Sequence, residues 1–341
     1  VNDLLIGLLS ALVATNTPAA VSNLVEQKTG LKVPVTAVAT NDPVELAYQK
    51  LMADDDAAQA EVDEWIQARN KLGPQTDVEK AILNGRIKRR FEPIIKGYED
   101  FLSVHTNHAS ARIAYGSFLN DIGDEEGAHV QWKKATTIDP KSPAAWNNLA
   151  NAEGHHGDVK IAFEYYAKAM ELDPAEPVYI QNLATTVFLF RKDAMEHFKI
   201  TEQQVFEKAM ALYRKAFALD PENYSMAAEL AQTFYGIKTP KLADTNATRV
   251  AEIKLGEEAL AAWKTAQKLA SNELEREGIH LHFARWQINL GRYAEARTNL
   301  ASVSNDVWSV TKKNLTKKLD SKESGLSTTN APGAASASES K

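Results

Sequence analysis

A period of 34 residues constrains this chain more than any other feature. Within residues 143–176, PAAWNNLANAEGHHGDVKIAFEYYAKAMELDPAE, Trp146, Leu149 and Ala150 stand at the spacing W-x2-L-A. Ala162 and Tyr166 follow as A-x3-aromatic, and Pro174 closes the unit. Residues three or four apart are neighbours on a helix, so Trp146, Leu149 and Ala150 share one face of a first helix. Ala162 and Ala169 are small where a second helix approaches closely, and Tyr166 fills the space between them. Gly157 stands at the turn between the helices, where glycine ends a helix by taking a positive φ. A helix pair of this kind cannot bury its apolar face alone and requires stacked neighbours.

The neighbours are present. In residues 109–142, Tyr115-Gly116, Gly123, Ala128, Trp132 and Ala135 occupy the places of Leu149-Ala150, Gly157, Ala162, Tyr166 and Ala169. Residues 75–108 carry Ile94, Tyr98 and Phe101 at matching places without the glycine, as a degenerate first unit. A third unit opens at 177 with Leu183-Ala184, but its Ala209, Tyr213 and Ala216 arrive 13 residues late. A fourth opens at Tyr224 with Leu230-Ala231, and its Ala259, Trp263 and Ala266 are 16 residues late. A fifth, from Glu277, shows Phe283-Ala284, Gly291 and Ala296. The two insertions, at the turns between helices, either mark a binding face or lengthen helix ends. Asp139-Pro140, Asp173-Pro174 and Asp220-Pro221 recur where second helices stop, because proline cannot continue a helix.

The flanks differ from this core. Leu4–Ala14 is an apolar run of about eleven residues, too short for a membrane span of roughly 20. Asp3 and the lack of Lys or Arg before it do not suit an export signal. The chain starts at Val1, which fits either a mature end after export or an arbitrary boundary, with an exported or periplasmic location favoured and Leu4–Ala14 read as a helix packed on the body. Residues 15–41 read as linker. Asp42-Pro43 with Glu45 then starts a helix. A second helix is expected over about 56–72, after a solvated acidic turn at Asp54, Asp55 and Asp56. Beyond the repeats, residues 306–319 form a capping helix that docks through Val307, Trp308, Val310 and Leu315, and 320–341 form a disordered Ser/Ala/Gly tail.

Composition removes several classes of function. The net charge of −6 argues against a nucleic-acid scaffold, despite the basic run Arg86 to Arg90. No cysteine is present, so disulfides, cysteine zinc sites and thiol nucleophiles are absent. His155-His156 has no second ligand pair at fixed spacing, and His280 and His282 point to different sides of a helix. There is no glycine-rich phosphate loop, nucleophile elbow or dinucleotide fingerprint. No catalytic residue, metal or cofactor is therefore assigned.

Residues 109–309 resemble the tetratricopeptide repeat superfamily, departing from its pattern at Glu153, where an aromatic is usual, and at the two insertions. The order of motifs, including WNNLAN and IQNLATT, also resembles a group of bacterial repeat proteins. The resemblance implies an all-α, right-handed α-solenoid of antiparallel helix pairs. Its first helices would line a concave face that holds an extended peptide or a partner helix. Five residues after Trp146 and at equivalent places stand Ser117, Asn151, Thr185, Gln232 and Arg285, all polar. Asn147 and Gln181 lie one turn away, and Asn148 and Asn182 line up beside them, followed by Glu229 and His282. An amide offers donor and acceptor together, which suits a peptide backbone without reading its sequence. The expected binding set is thus Asn147, Asn148, Asn151, Gln181, Asn182, Thr185, Gln232 and Arg285, solvent-exposed on one surface. With Ile113, Asn147 and Gln181 where a carboxylate clamp would need Lys or Arg, gripping of a C-terminal carboxylate is not expected. The function so read is a non-enzymatic protein-interaction scaffold; the alternative is an accessory or catalytic domain acting on a small ligand through acidic groove residues such as Glu229.

Overall fold

The computed structural model describes residues 42–73, 75–239 and 243–329, with His156 and the last four of these as backbone only. The apolar run Leu4–Ala14, the linker up to residue 41 and residues 330–341 lie outside them. The described residues are all-α, with no strand among them. The helices are α1 (Pro43–Asn70), α2 (Asp77–Val104), α3 (Ala109–Asp121), α4 (Glu125–Ile138), α5 (Pro143–His156) and α6 (Val159–Leu172). They continue with α7 (Pro177–Leu189), α8 (Arg191–Phe198), α9 (Glu202–Leu219), α10 (Tyr224–Thr233) and α11 (Thr245–Leu269). α12 (Glu273–Leu290), α13 (Tyr293–Ala301), a 3-10 turn at Asp306–Trp308 and α14 (Ser309–Thr329) complete the order. The chain divides into two compact units on either side of Pro174–Ala175. Within each unit consecutive helices pack on one another, as in an α-solenoid.

In the first unit, α3 packs on α4 and α5 on α6. The small residues sit at the closest approaches: Ala128, Ala135, Ala162 and Ala169 are fully buried. A Cβ on Gly116 would stand 2.5 Å from Trp132 Nε1, so the indole fills the space that a side chain would occupy. Asp124 and Asp158 cap α4 and α6 by accepting backbone N–H groups, which removes unsatisfied donors at each start. Asp139 and Asp173 end those helices, each N–H reaching the carbonyl four residues earlier. Gly123 takes φ +86 at its turn. Gly157, at the same place one repeat on, does not: its φ is −114, and its missing side chain instead leaves room for the Glu153 carboxylate.

The region ahead of the repeats departs from expectation. One helix, α1, runs through the acidic triplet, and α2 crosses residues 77–104 without a break, so 75–108 is not a helix pair. No glycine–polar turn interrupts either stretch, and a capping box at Thr76 and Glu79 starts α2 outright. Asp55 is not solvated. It is 3% exposed, its Oδ2 accepting from Tyr98 Oη at 2.6 Å and its Oδ1 from Gln59 Nε2 at 2.7 Å. Burial pushes its carboxyl pKa up. Tyr98 stacks on Tyr115 with ring centroids 4.9 Å apart, which ties the long α1–α2 hairpin to the first repeat.

In the second unit the first insertion contributes a helix, and the second is helical from Thr245 onward. Residues of the first form α8, closed by Lys199 in the left-handed region at φ 55, and a Thr201–Gln204 capping box then restarts the chain as α9. The second lengthens the N-terminal end of α11, which reaches 25 residues. The fifth pair begins at Glu273, four residues before the expected start, and Gly291 ends α12 at φ +79. α14 docks through Leu315 and Leu319, whereas Val307 and Val310 are 68% and 69% exposed, contrary to expectation. Trp308 is held by Nε1 donating to the Leu274 carbonyl at 3.2 Å. α14 also runs past residue 319 to Thr329, so 320–329 are helical rather than tail; Asp320 and Glu323 both accept from Arg297 on α13. No helix among the described residues is long and apolar enough to cross a membrane.

Candidate functional site

The polar column of first-helix residues was expected to lie open to solvent, and each unit treats it differently. In the first unit, α5 starts at a Ser142 cap with Pro143 in its first turn. Ala145, Leu149 and Ala150 are buried in the repeat core. Asn148 and Asn151 are half-buried, while Asn147 is only 2% exposed. A short chain of hydrogen bonds fixes them. Asn147 Nδ2 donates to Asn148 Oδ1 at 3.3 Å, Asn148 Nδ2 to Ser117 Oγ at 3.3 Å, and Ser117 Oγ to the Ile113 carbonyl at 3.1 Å. Asn151 Oδ1 accepts from Tyr166 Oη at 2.6 Å, which fixes its amide plane and leaves Nδ2 with no partner among the described residues.

In the second unit the column is internal. Gln181, Asn182 and Thr185 are at most 8% exposed, so these three, like Asn147, do not form an open surface. The cause is tertiary: α7 packs on α9 and also touches α8 and α10, and residues 179–187 are buried without interruption. Gln181 Nε2 donates to Glu229 Oε2 at 2.9 Å, and Ser225 Oγ donates to Glu229 Oε1 at 3.3 Å. Thr185 Oγ1 and Tyr213 Oη share a hydrogen bond of 2.7 Å. Glu229 is 7% exposed; burial pushes its carboxyl up to about 7, against hydrogen bonds from Gln181, Ser225, Thr185 and Tyr213 that favour the charged form. No ion pair to Glu229 exists among the described residues.

Gln232 and Arg285 are half-buried. Arg285 places its guanidinium 5.3 Å from the Tyr235 ring centroid. Tyr235 stacks on Trp286 at 5.0 Å, and its hydroxyl is 2.9 Å from His282 Nδ1. The His282 ring lies flat on Trp263 at 3.7 Å; burial and then Arg285 lower its pKa to about 3, so it is neutral at physiological pH. His280 faces elsewhere, to Asn299 Oδ1 at 2.7 Å. Among the described residues no group of three or more His, Asp or Glu could hold a metal ion.

The tyrosines Tyr166 and Tyr213 are the residues the sequence reading missed as site partners. Their signal was available: both occupy the A-x3-aromatic column, and each bonds the polar residue of its own repeat's first helix, Asn151 or Thr185. A hydroxyl on that aromatic therefore predicts which first-helix polar side chain is held from behind.

A family model for the tetratricopeptide repeat matches residues 143–176. Tetratricopeptide repeat protein 6 of Homo sapiens is 30% identical over 71 residues, which cover 21% of this chain and only 14% of that relative's length. The crystal structure of PilW, a widely conserved type IV pilus biogenesis factor, is similar with a TM-score of 0.49 at 14% identity, covering 77% of this chain and 92% of that one. Pseudomonas aeruginosa PilF gives a TM-score of 0.45 at 20% identity, over 66% of this chain and 93% of that one. The signature repeat is thus matched at the place where the 34-residue period is clearest, and residues 143–176 form a tetratricopeptide repeat, its two helices being α5 and α6.

Proposed function

We propose that this chain is a non-enzymatic interaction scaffold that holds an extended peptide or a partner helix against the polar strips of its first helices. The observation that carries the reading is Asn151, whose carbonyl is fixed by Tyr166 while its amide N–H2 stays uncommitted beside solvent. A donor aimed in advance loses little entropy when it meets a backbone carbonyl. Asn148, Asn151, Gln232 and Arg285 have the solvent access to touch a ligand. Asn147, Gln181, Asn182 and Thr185 support the strips from within. The repeat family as a whole is typical of protein-interaction scaffolds, which agrees with this reading.

Peptides selected from a random display library on the full chain, with affinities measured by calorimetry, test the proposal. Asn148→Ala with Asn151→Ala should weaken the selected peptides several-fold to tenfold, since each net hydrogen bond contributes about 0.5–1.5 kcal/mol. Unchanged affinity would remove the first-unit strip from the proposal. One observation favours the second reading, a small ligand in place of a peptide: Glu229 carries a pKa near neutrality in a buried site. That reading requires a small molecule whose binding is lost in Glu229→Gln but kept in the asparagine variant.

A further inference from the structure

The second unit carries a cleft of about 550 Å³ between the link after α13 and the first turns of α14. Its walls are fixed by bonds within the unit. Glu277, 2% exposed, accepts from Ser304 N at 2.9 Å, Ser304 Oγ at 2.7 Å and Asn305 N at 2.8 Å. Lys312 Nζ donates to the Val303 carbonyl at 2.7 Å across the floor. Leu315 and Leu319 anchor α14 in the core behind.

Lys313 and Lys317 line the same cleft and are exposed. Four residues apart, they project from one side of the helix. Neither has a hydrogen-bond or ion-pair partner among the described residues, and the carboxylates of Asp320 and Glu323 are engaged by Arg297. Val310, 69% exposed, stands three residues before Lys313 and seven before Lys317, on the same stripe. Asp320 lines the cleft as well, with its carboxylate held by Arg297, so the rim carries two ammonium groups without a partner among the described residues and an apolar residue at one end.

We propose that this cleft docks an extended acidic segment of a protein partner. Four helical residues rise about 6 Å, close to the roughly 6.7 Å between alternate side chains of an extended chain, so carboxylates two residues apart would meet the two lysines in register. The occupant is a peptide and not a free phosphate, because the backbone N–H groups that would cradle a phosphate are already committed: Ser304 and Asn305 donate to Glu277, and Val307 donates to Asn305 Oδ1. The site is separate from the amide strips and stands whether or not they bind a ligand.

Fluorescence anisotropy of a labelled peptide, Leu-Ser-Asp-Ser-Asp-Ser-Asp, on the full chain tests it at low salt. Binding should fall at least tenfold when each Asp becomes Asn, and likewise in the K313E/K317E variant. The milder K313Q/K317Q variant should lose several-fold, which guards against a folding defect in the charge reversal. Raising the salt should weaken binding, as expected for partly exposed charges. Inorganic phosphate should compete no better than chloride at equal ionic strength. Equal affinity for the Asp and Asn peptides, insensitivity to both lysine variants, or selective displacement by phosphate would each overturn the proposal.

Discussion

In α5 of the first unit, Asn148 and Asn151 keep one side toward solvent, whereas in α7 of the second unit Asn182 and Thr185 at the matching repeat positions are enclosed. The packing sides of the two helices are alike. Ala150 and Ala184 are both fully buried, and so are the partner-helix residues Ala162 and Ala209. A tyrosine in each second helix also holds the polar residue in front of it. The surroundings differ: α5 is contacted by α3 and α4 in addition to α6, whereas α7 is contacted by α9, by α10 and by α8, which arises from inserted residues. The comparison teaches that the repeat spacing fixes which side chains oppose one another, while solvent access depends on what else the unit places over them.

The largest effect is expected where the two regions are alike. Ala162→Trp inserts an indole at a fully buried position facing Gly154 and should cost about 3 kcal/mol or more through overpacking. Thermal melts showing an unaltered first unit would mean that the small-residue column is not a close contact.

The next effect separates the regions by pH. Glu229 has a folded-state pKa of about 7 against an ordinary 4.5, so folding takes up a proton between these values. Stability from this group is therefore greatest below pH 4.5 and is lost as pH rises through 7, by about 3 kcal/mol at most. Glu229→Gln should flatten that dependence and stabilise the chain at pH 8, as read by urea unfolding of both proteins from pH 5 to pH 8. A parallel pH dependence in the variant and the parent would assign the carboxylate no such role.

Two smaller effects sharpen the contrast directly. Thr185→Ala removes the 2.7 Å bond to the buried Tyr213 hydroxyl together with a hydrogen bond to the buried Glu229 carboxyl, and should cost about 1–3 kcal/mol. Asn151→Ala removes one partner of Tyr166 at a half-buried place that water can reach, and should cost about 1 kcal/mol or less. The reverse ranking in denaturant unfolding would break the comparison, because it would place the enclosed position in the first unit.

The sequence by itself determined the all-α class, the helix pairs at 109–138, 143–172 and beyond, and the small and aromatic residues at their contacts. These follow from local periodicity: spacing sets the buried face of a helix, and Asp-Pro or glycine sets its end. Local pattern could also rank Asn151 and Thr185 as equivalent, since both follow the same motif by the same interval. Only the tertiary structure decided that one meets solvent and the other does not, because burial is set by helices distant in sequence. The same reason explains the acidic triplet in α1, where three consecutive aspartates read as a solvated turn until Tyr98, 43 residues later, reaches back to bury Asp55. It explains the cleft at α14 as well, since the lysines of a capping helix become a site only when Glu277 and Lys312 fix the link that faces them.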